Sequence, residues 1–243
     1  MDRYARQLVL PGFGADAQQR LGHARVLVVG AGGLGSPVLA YLAGAGVGRL
    51  TIADADTVDR TNLHRQVIYA DADAGAPKAE LAARFVTRLN PEVVAVPLVR
   101  RVESDVAGGL VAEADLIMDC CDNLPTRYVL NRACVAAGVP YVWAAIGRYA
   151  GRCSTVRTGA PCFECLLGPQ DRQPELPSVD EAGVFGPICG TMGALAAAEA
   201  IKVLTGVGDP LTGRLVNVDV RTSEAQVIDI SRDPECAACG TAS

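Results

Sequence analysis

Short apolar runs alternate with helical patterns along the first part of the chain. The first run, Arg25 to Val29, ends at a glycine, and apolar residues then recur at helical spacing from Ser36 to Ala45. The same alternation predicts strands at Leu50 to Ala53, Val93 to Val99, Leu116 to Asp119 and Tyr141 to Ala145, and helices at Pro77 to Leu89, Ser104 to Val111 and Thr126 to Ala137. Strands that alternate with helices predict an α/β fold with a doubly wound, mostly parallel sheet.

The pattern becomes strand-like after Gly151. Three runs predict antiparallel strands that extend the sheet, at Cys153 to Arg157, Arg214 to Val220 and Ala225 to Ile230. The segment from Gly168 to Gly183 is rich in proline, glutamine and acidic residues, which bury little apolar surface, so we expect a mobile loop there. A helix from Met192 to Leu204 is predicted after this loop.

The turn between the first strand and the first helix is rich in glycine. It satisfies G-x-G-x-x-G through Gly30, Gly32, Gly33 and Gly35. Backbone N–H groups in such a turn bind phosphate at the start of a helix, and Asp54, at the end of the second strand, stands where a ribose-binding acid is expected. The segment predicts a nucleotide site on a Rossmann-like sheet, and taken alone it would most often bind NAD.

Polar side chains follow Asp54 where a dehydrogenase would continue into an ordinary helix. The candidates for nucleotide contact in this segment are Asp56, Asn62, Arg65 and Gln66. So many polar side chains in one short segment suggest that the segment binds phosphate. No G-x-x-x-x-G-K-[ST] motif is present. If ATP is bound, the cation for its β and γ phosphates must therefore come from elsewhere, and Arg65 and Lys78 are the candidates.

Two polar residues, Asp122 and Asn123, follow the predicted strand that ends at Asp119. The carboxyl edge of an open α/β sheet is where ligands bind, and carboxylates are ligands for Mg²⁺. Asp122 is therefore the candidate magnesium ligand, and Asp119, deeper in the strand, is a weaker one. Asp122 could also be a turn or helix-capping residue, and Asn62 could cap a helix.

Six spaced motifs carry a resemblance to a known family. They are Arg3-Tyr4-x-Arg6-Gln7, Gly30-x-Gly32-Gly33-x-Gly35, Asp54-x-Asp56-x-Val58, Asn62-Leu63-x-Arg65-Gln66, Gly75-x-Pro77-Lys78 and Asp119-x-x-Asp122-Asn123. Together they resemble the ThiF/MoeB/HesA family, the prokaryotic relatives of ubiquitin-activating enzymes. The match runs over essentially the whole chain.

The resemblance implies ATP-dependent adenylation of the C-terminal glycine carboxylate of a small ubiquitin-like sulfur-carrier protein of the MoaD/ThiS type, ending in Gly-Gly, with release of pyrophosphate. It assigns nucleotide contacts to Gly33 and to Asp54, the latter through the ribose hydroxyls. It assigns the triphosphate to Asn62, Arg65 and Lys78, and magnesium to Asp122. By the same resemblance Arg6 reaches the γ phosphate of a neighbouring subunit, so a homodimer is expected.

The implied reaction needs no general base, because a carboxylate with a pKa near ~3.5 is already ionised at neutral pH. This agrees with the two histidines, His23 and His64, which are poor candidates for a proton-transfer pair. Catalysis would come from alignment of two anions and neutralisation of their charge. The catalytic residues expected are Arg6, Arg65, Lys78 and Asp122.

No rhodanese-like domain is present in the sequence, so a separate sulfur donor is expected. Molybdopterin, thiamin, thiolated-tRNA and amino-acid biosynthesis all use such carriers, and the sequence does not select one.

Two CxxC pairs, Cys162 with Cys165 and Cys236 with Cys239, lie far apart in the sequence. This is the arrangement of a tetrahedral structural zinc site, which would tie the C-terminal tail to the start of the predicted loop. Two redox motifs or two short disulfides are the alternative, and neither pair is predicted to open a helix after a strand as a thioredoxin motif does.

Five further cysteines are present. Burial as small hydrophobic side chains is expected for Cys120, Cys121, Cys134 and Cys153. Cys189, just ahead of the last predicted helix, could be activated by the helix dipole, although core packing is favoured. The resembling family often carries a cysteine in the mobile loop, where this chain has Ser178, Val179 and Asp180. A covalent step on that loop is therefore not expected.

Composition narrows the classes of function. The 243 residues are half hydrophobic and carry a net charge of -5, which argues against a nucleic-acid partner. The longest apolar stretches, around Val26 to Val29 and Gly193 to Leu204, are too short or too interrupted to span a bilayer, and the first residues do not resemble a signal peptide. A cytoplasmic protein without a membrane partner is expected.

One domain, 1–243, is predicted, with an N-terminal helical arm at 1–24, the nucleotide-binding core at 25–150 and the antiparallel extension with the zinc site at 151–243.

Other functions stay open. An NAD-dependent oxidoreductase on the same fold would explain the glycines and Asp54, but not Arg6, Lys78 and the cysteine pairs together. A non-catalytic scaffold that binds a carrier would have no need of Lys78, Arg65 and Asp122. An enzyme that adenylates a tRNA carboxylate would be expected to show a basic stripe. Arg6 and Lys78 could also be solvated surface charges.

Overall fold

The computed structural model describes residues 2–173 and 179–240. The strands are β1 (Arg25–Val29), β2 (Arg49–Ala53), β3 (Val94–Leu98), β4 (Leu116–Asp119), β5 (Tyr141–Gly147), β6 (Ala150–Val156), β7 (Arg214–Asp219) and β8 (Glu224–Asp229). The helices are α1 (Ala5–Leu8), α2 (Gly14–His23), α3 (Gly35–Ala45), α4 (Lys78–Leu89), α5 (Ser104–Ala112), α6 (Leu124–Ala137), α7 (Phe163–Leu167), α8 (Val179–Ala182) and α9 (Gly186–Thr205).

The eight strands form one sheet in the order β3-β2-β1-β4-β5-β6-β7-β8. Strands β1 to β5 pair in parallel, and β5 to β8 pair antiparallel. The predicted fold class, a doubly wound and mostly parallel sheet with an antiparallel extension, is confirmed. The order reverses at β1, because the chain first moves outward to β2 and β3 and then returns to β4 on the other side.

Each face of the sheet supplies one of two hydrophobic cores. Val26 and Val28 of β1 pack with α2, α3, α4 and α9 on one face. Leu27 and Val29 of the same strand pack with α5, α6 and α7 on the other. Because both faces are covered, the parallel strands consist of continuous apolar runs instead of alternating apolar and polar residues.

The last helix is longer than the sequence predicts. α9 begins at Gly186, six residues before the predicted start at Met192, since Pro187 occupies its first turn, where a missing N–H costs nothing. With this start, α9 is long and apolar enough to cross a membrane by length and composition, contrary to the expectation that its apolar stretch is too short. Half of the stretch is buried inside the protein, against α3, β5 and β6.

The segment predicted as a mobile loop, 168–183, contains two short helical pieces in its described part. They are a 3₁₀ turn at Gln170–Arg172 and the helix α8. Residues 174–178, including Ser178, lie outside the described residues. The end of the segment is anchored to the β5–β6 hairpin, because Arg148 N–H donates to the Gly183 carbonyl at 3.1 Å and Phe185 N–H donates to the Arg148 carbonyl at 2.8 Å.

Candidate nucleotide site and metal centre

The glycine turn lies at the point where the strand order reverses, between β1 and the end of β4. Gly30 has a positive φ of 95°, and a Cβ at this position would lie 2.6 Å from the carbonyl oxygen of Cys120. A Cβ at Gly35 would lie 2.1 Å from the carbonyl oxygen of Gly30. Glycine is therefore required at both positions for the turn to close. Open α/β sheets bind their ligands at this point.

Asp54 fixes the turn from the end of β2. Its Oδ2 accepts a hydrogen bond from the Ala31 N–H at 2.7 Å, and its Oδ1 accepts one from the Asp56 N–H at 2.8 Å. Burial raises the pKa of Asp54, and these hydrogen bonds together with the charge of Lys78 oppose the rise. The structure thus brings Asp54 to the glycine turn and also gives it a structural contact that its sequence position does not reveal.

The segment after β2 folds back over the glycine turn. Its 3₁₀ turn, Arg60–Asn62, is capped by Asp59 and not by Asn62. The amide oxygen of Asn62 instead accepts a hydrogen bond from Arg65 Nη2 at 2.7 Å. The Arg65 side chain lies 3.6 Å from the position that a Cβ of Gly33 would occupy. Asn62 and Arg65 therefore lie together against the turn, and the hypothesis that Asn62 caps a helix is wrong.

Gln66 carries a buried polar atom without a partner. Its side chain is 3% exposed, and its Nε2 lies 3.4 Å from the Cβ position of Gly32. Its Oε1 has no hydrogen-bond donor within the described part of the chain. An unpaired buried amide oxygen costs about 1–3 kcal/mol. The orphaned oxygen fits a site that is completed by a bound ligand.

Lys78 begins α4 and points toward Asp56. Its Nζ lies 3.3 Å from Asp56 Oδ2, and its backbone N–H donates to the Asp56 carbonyl at 2.9 Å. The Lys78 side chain is 7% exposed, whereas that of Asp56 is 60% exposed. A nearly buried ammonium that pairs with an exposed carboxylate two residues after Asp54 is suited to an anionic ligand. The alternative of a solvated surface lysine is therefore wrong.

The loop after β4 holds the predicted magnesium residues. Asp122 is exposed, and no hydrogen bond or ion pair within residues 2–173 and 179–240 engages its carboxylate. Asn123 caps α6, since its Oδ1 accepts a hydrogen bond from the Thr126 N–H at 2.9 Å. Asp119 is fully buried, and both of its carboxylate oxygens accept hydrogen bonds. A metal ion can reach Asp122 but not Asp119, so the weaker magnesium candidate is excluded.

Arg6 lies away from the glycine turn of its own chain. It is exposed on α1, whose neighbouring residues contact the far end of α3: Gln7 Nε2 donates to the Ala45 carbonyl at 3.1 Å, and Tyr4 packs against Gly46. α3 begins at the glycine turn and has 11 residues, so its two ends lie roughly 16 Å apart at about 1.5 Å per residue. Arg6 therefore does not join the other predicted residues within one chain.

The four cysteines of the two CxxC pairs converge. All four Sγ atoms lie within 4.8 Å of one another, and the nearest cross-pair distances are 3.6 Å from Cys162 to Cys236 and 3.4 Å from Cys165 to Cys239. A tetrahedral site with Zn–S bonds of about 2.3 Å places its sulfurs roughly 3.8 Å apart, while a disulfide bond is about 2.05 Å long. The cluster can hold a metal ion and contains no disulfide.

The first CxxC pair is fixed to α6 by the two residues between its cysteines. The Phe163 ring packs edge-on against Tyr128, with centroids 5.4 Å apart. Glu164, 3% exposed, accepts two hydrogen bonds from Arg132 at 2.8 and 3.1 Å. Cys162 also serves as the N-cap of α7, so this pair opens a short helix, and residues 157–161 separate it from strand β6. The cross-pair distances, and not the helix context, distinguish the metal site from a redox motif.

The other five cysteines are buried. Cys189 lies within the first turns of α9, and a Cβ at Gly33 would lie 2.9 Å from its Sγ. Burial raises the pKa of Cys189 to about 11, and the charge of Arg65 opposes the rise. Activation of Cys189 by the helix dipole is therefore not observed, and core packing, the favoured hypothesis, describes it.

Sequence patterns miss several residues that organise the site. Tyr69 donates a hydrogen bond from its hydroxyl to the Ala31 carbonyl at 2.7 Å. Arg127, 4% exposed on α6, pairs with Asp119 at 3.2 Å. The buried hydroxyl of Tyr141 donates to the same carboxylate, and burial next to Asp119 raises the pKa of Tyr141 well above its usual value. These partners come from different elements, so no local spacing in the sequence signals them.

Fold and site together define a nucleotide-binding α/β protein with an added four-cysteine cluster that can hold a metal ion. The ThiF family model matches residues 4–238, and the chain belongs to the ThiF family. It is 41% identical over 240 residues to the SAMP-activating enzyme E1 of Haloferax volcanii, covering 99% of this chain and 89% of that protein. It is 43% identical over 242 residues to the molybdopterin-synthase adenylyltransferase of Escherichia coli, covering 99% of this chain and 96% of that protein.

Solved structures agree with this assignment. The Escherichia coli protein MccB, in a complex with MccA-N7isoASN, superimposes with a TM-score of 0.87 at 26% identity, covering 99% of this chain and 74% of that one. MccB with ATP superimposes with a TM-score of 0.85 at 26% identity, covering 98% and 74% of the two chains. The whole described fold is thus that of the family, and an oxidoreductase is not favoured.

Proposed function

We propose that this protein uses ATP to adenylate the C-terminal glycine carboxylate of a small ubiquitin-like sulfur-carrier protein, with release of pyrophosphate. The observation that carries the proposal is that Asp54 and Arg65 lie against the glycine turn, with Lys78 paired to Asp56 at 3.3 Å. The exposed Asp122 follows Cys121, whose backbone nitrogen lies 3.1 Å from the Cβ position of Gly30. The relatives support it, because one is a sulfur carrier protein adenylyltransferase from Thermus thermophilus, 42% identical over 246 residues that cover 99% of this chain and 91% of that protein.

Different residues of this chain bind different parts of ATP. Asp54 holds the ribose, and the backbone N–H groups of the glycine turn bind phosphate at the start of α3. Asn62, Arg65 and Lys78 bind the triphosphate. The unpaired amide oxygen of Gln66 accepts a hydrogen bond from the nucleotide or from a water molecule bound with it. Asp56, at the solvent side, and the backbone of Asn123 supply the remaining contacts with ATP.

The chemical step is attack of a carboxylate oxygen on the α phosphorus of ATP. The O–P bond to the carboxylate forms as the bond to the bridging oxygen of pyrophosphate breaks, so no proton is transferred and no base is needed. Lys78 and Arg65 neutralise the charge that builds on the leaving pyrophosphate. Their loss would slow the step itself, because this stabilisation grows in the transition state.

Magnesium fits the site through Asp122, whose carboxylate is exposed and unpaired among residues 2–173 and 179–240. When bound, the ion would neutralise phosphate charge and orient the phosphates. Asp122 would hold it from the end of β4, while Asn123 keeps the start of α6 in place.

The position of Arg6 supports a homodimer in which Arg6 serves the partner's site. Within one chain, the length of α3 separates α1 from the glycine turn, so an Arg6 that contacts the γ phosphate must belong to a second copy. Arg6 is exposed and available for this contact.

Zinc in the four-cysteine centre would be structural. Four sulfurs complete a tetrahedral site and leave no open position for a substrate. The centre joins α6 to the C-terminal segment, so its contribution is stability and not chemistry. The sulfur atom itself would come from a separate donor protein, and the predicted setting is cytoplasmic.

ATP–pyrophosphate exchange tests the proposal. The purified protein is assayed with each small Gly-Gly-ending carrier of its organism in turn, and carrier-dependent exchange is the expected result. Absence of exchange with every carrier, together with tight NAD binding, would favour the oxidoreductase. Tight carrier binding without exchange would favour the non-catalytic scaffold.

A further inference from the structure

The residue before Asp122 is held at both of its backbone polar groups by one buried ion pair. The Cys121 N–H donates to Asp119 Oδ1 at 2.9 Å. The Cys121 carbonyl accepts a hydrogen bond from Arg127 Nη2. Arg127 Nη1 and Asp119 Oδ2 pair at 3.2 Å. Asp119 and Arg127 therefore close a clamp around Cys121, the residue that leads into Asp122.

The clamp is fixed to the neighbouring strand as well. Arg127 Nη2 also donates to the Ala144 carbonyl of β5 at 2.8 Å. The Tyr141 hydroxyl, at the start of β5, donates to Asp119 Oδ2. Asp119 and Tyr141 are 0% exposed and Arg127 is 4% exposed, so water does not compete for these bonds. The Asp122 loop is thus tied to β4, β5 and α6 at once.

Stability alone is a poor explanation for this arrangement. A buried ion pair contributes little net stability, because desolvation offsets much of its attraction. Two hydrogen bonds of this pair converge on Cys121, whose buried thiol lies 3.6 Å from the Asn123 carbonyl of the same loop. What they determine is the direction of the chain at Asp122, whose exposed carboxylate has no other support among residues 2–173 and 179–240.

We propose that Arg127, acting with Asp119, is a positioning residue that aims the Asp122 carboxylate at the magnesium ion on the triphosphate. The proposal rests on the proposed function, since it takes Asp122 as the magnesium ligand. Groups that orient metal ligands through hydrogen bonds typically change metal affinity roughly 10- to 100-fold when they are removed. Arg127 is expected to act in this range.

Arg132 offers a matched control on the same helix. It also pairs with a buried carboxylate, that of Glu164 at 2.8 Å, but this pair faces the cysteine centre and not the Asp122 loop. A substitution at Arg132 removes an arginine and leaves a buried carboxylate unpaired, as one at Arg127 does. The Arg132 side chain is 53% exposed and that of Arg127 is 5% exposed, so the two variants can differ in stability. A purely structural role of Arg127 would leave the magnesium-dependent part of ATP binding unchanged in both folded variants.

The experiment measures the equilibrium affinity for a fluorescent ATP analogue with magnesium and, separately, with EDTA, in Arg127→Met, Arg132→Met, Asp122→Asn and the unchanged protein. The ratio of the two affinities is the magnesium-dependent gain. We expect Arg127→Met to lower this gain roughly 10-fold or more while affinity in EDTA stays unchanged. Arg132→Met should keep the full gain although it lowers the melting temperature.

An unchanged gain in folded Arg127→Met, with the gain lost in Asp122→Asn, would overturn the clamp and leave the proposed function standing. A full gain in Asp122→Asn would instead overturn the magnesium assignment, and the clamp with it. If Arg127→Met does not fold, Tyr141→Phe, which removes one hydrogen bond to Asp119, is judged by the same ratio. Hydrogen exchange of the amides at 121–123 gives a second readout, and faster exchange than in Arg132→Met is expected.

Discussion

Lys78 Nζ lies 3.3 Å from Asp56 Oδ2, and the two side chains differ sharply in exposure, at 7% and 60%. The ammonium is thus held by a partner that solvent can reach. A pair of this kind contributes little to stability, so Asp56 can release the lysine to a phosphate at small cost. This relationship would leave a nearly buried lysine available for the triphosphate in the proposed function.

The first prediction concerns charge removal at this position. Lys78→Met is expected to abolish pyrophosphate exchange, because no other ammonium lies at the turn, and to change the free energy of unfolding by about 1 kcal/mol or less. Exchange kinetics and urea unfolding measure the two effects.

The other lysine of the chain, Lys202, provides the control. It pairs with Glu199, which is 0% exposed in the core. Lys202→Met should lower stability by more than about 1 kcal/mol, because it leaves a buried carboxylate unpaired, and should keep exchange. Normal exchange in Lys78→Met would contradict the assignment of Lys78 to the triphosphate.

The second prediction tests whether Arg6 acts on the partner's site. Arg6→Ala and Asp122→Asn are each expected to be inactive alone. When the two variants are mixed and allowed to exchange subunits, half of the dimers contain one chain of each variant. Each mixed dimer has one intact site out of two, so the mixture should recover about a quarter of wild-type activity. No recovery in a mixture shown to contain mixed dimers would place Arg6 in its own chain's site.

The sequence predicts the strands, the mostly parallel sheet and the glycine turn with Asp54 beside it, because glycine turns and strand ends have local signatures. Gly30 and Asp54 are examples of such local signals. Arg127 and Tyr141 are not, since their roles depend on partners from other strands. The sequence pattern also misses the start of α9. Gly186 and Pro187 together are typical of a turn, but proline is equally compatible with the first turn of a helix, where the structure has it.

The third prediction concerns the reactivity of Cys189, whose pKa burial raises to about 11. Below that pH the thiol is neutral, and only about one molecule in a thousand carries a thiolate at pH 8. Alkylation by iodoacetamide, followed by mass spectrometry, should be slow at pH 8 and should rise with pH. Cys189→Ser should keep exchange. Rapid labelling at pH 7, or loss of exchange in that variant, would indicate a covalent role.

The fourth prediction concerns metal in the four-cysteine centre. Elemental analysis should find one zinc per chain, and Cys239→Ser should lose it and unfold at a lower temperature, since metal binding contributes several kcal/mol to folding. Cys134→Ser, a change at a buried cysteine outside the cluster, should keep the zinc. At a temperature where the zinc-free protein is still folded, exchange should persist. A zinc-free protein with two disulfides would contradict the assignment.

The central claim is that a carrier carboxylate attacks the α phosphate of ATP at this site. The most direct measurement is mass spectrometry of a Gly-Gly-ending carrier after incubation with the protein and MgATP, beside the same carrier with an amidated C-terminus. A mass gain of one adenylyl group on the free-acid carrier alone, lost in Lys78→Met, is the predicted result. An unmodified free-acid carrier, or an equal gain on the amidated one, would contradict the account.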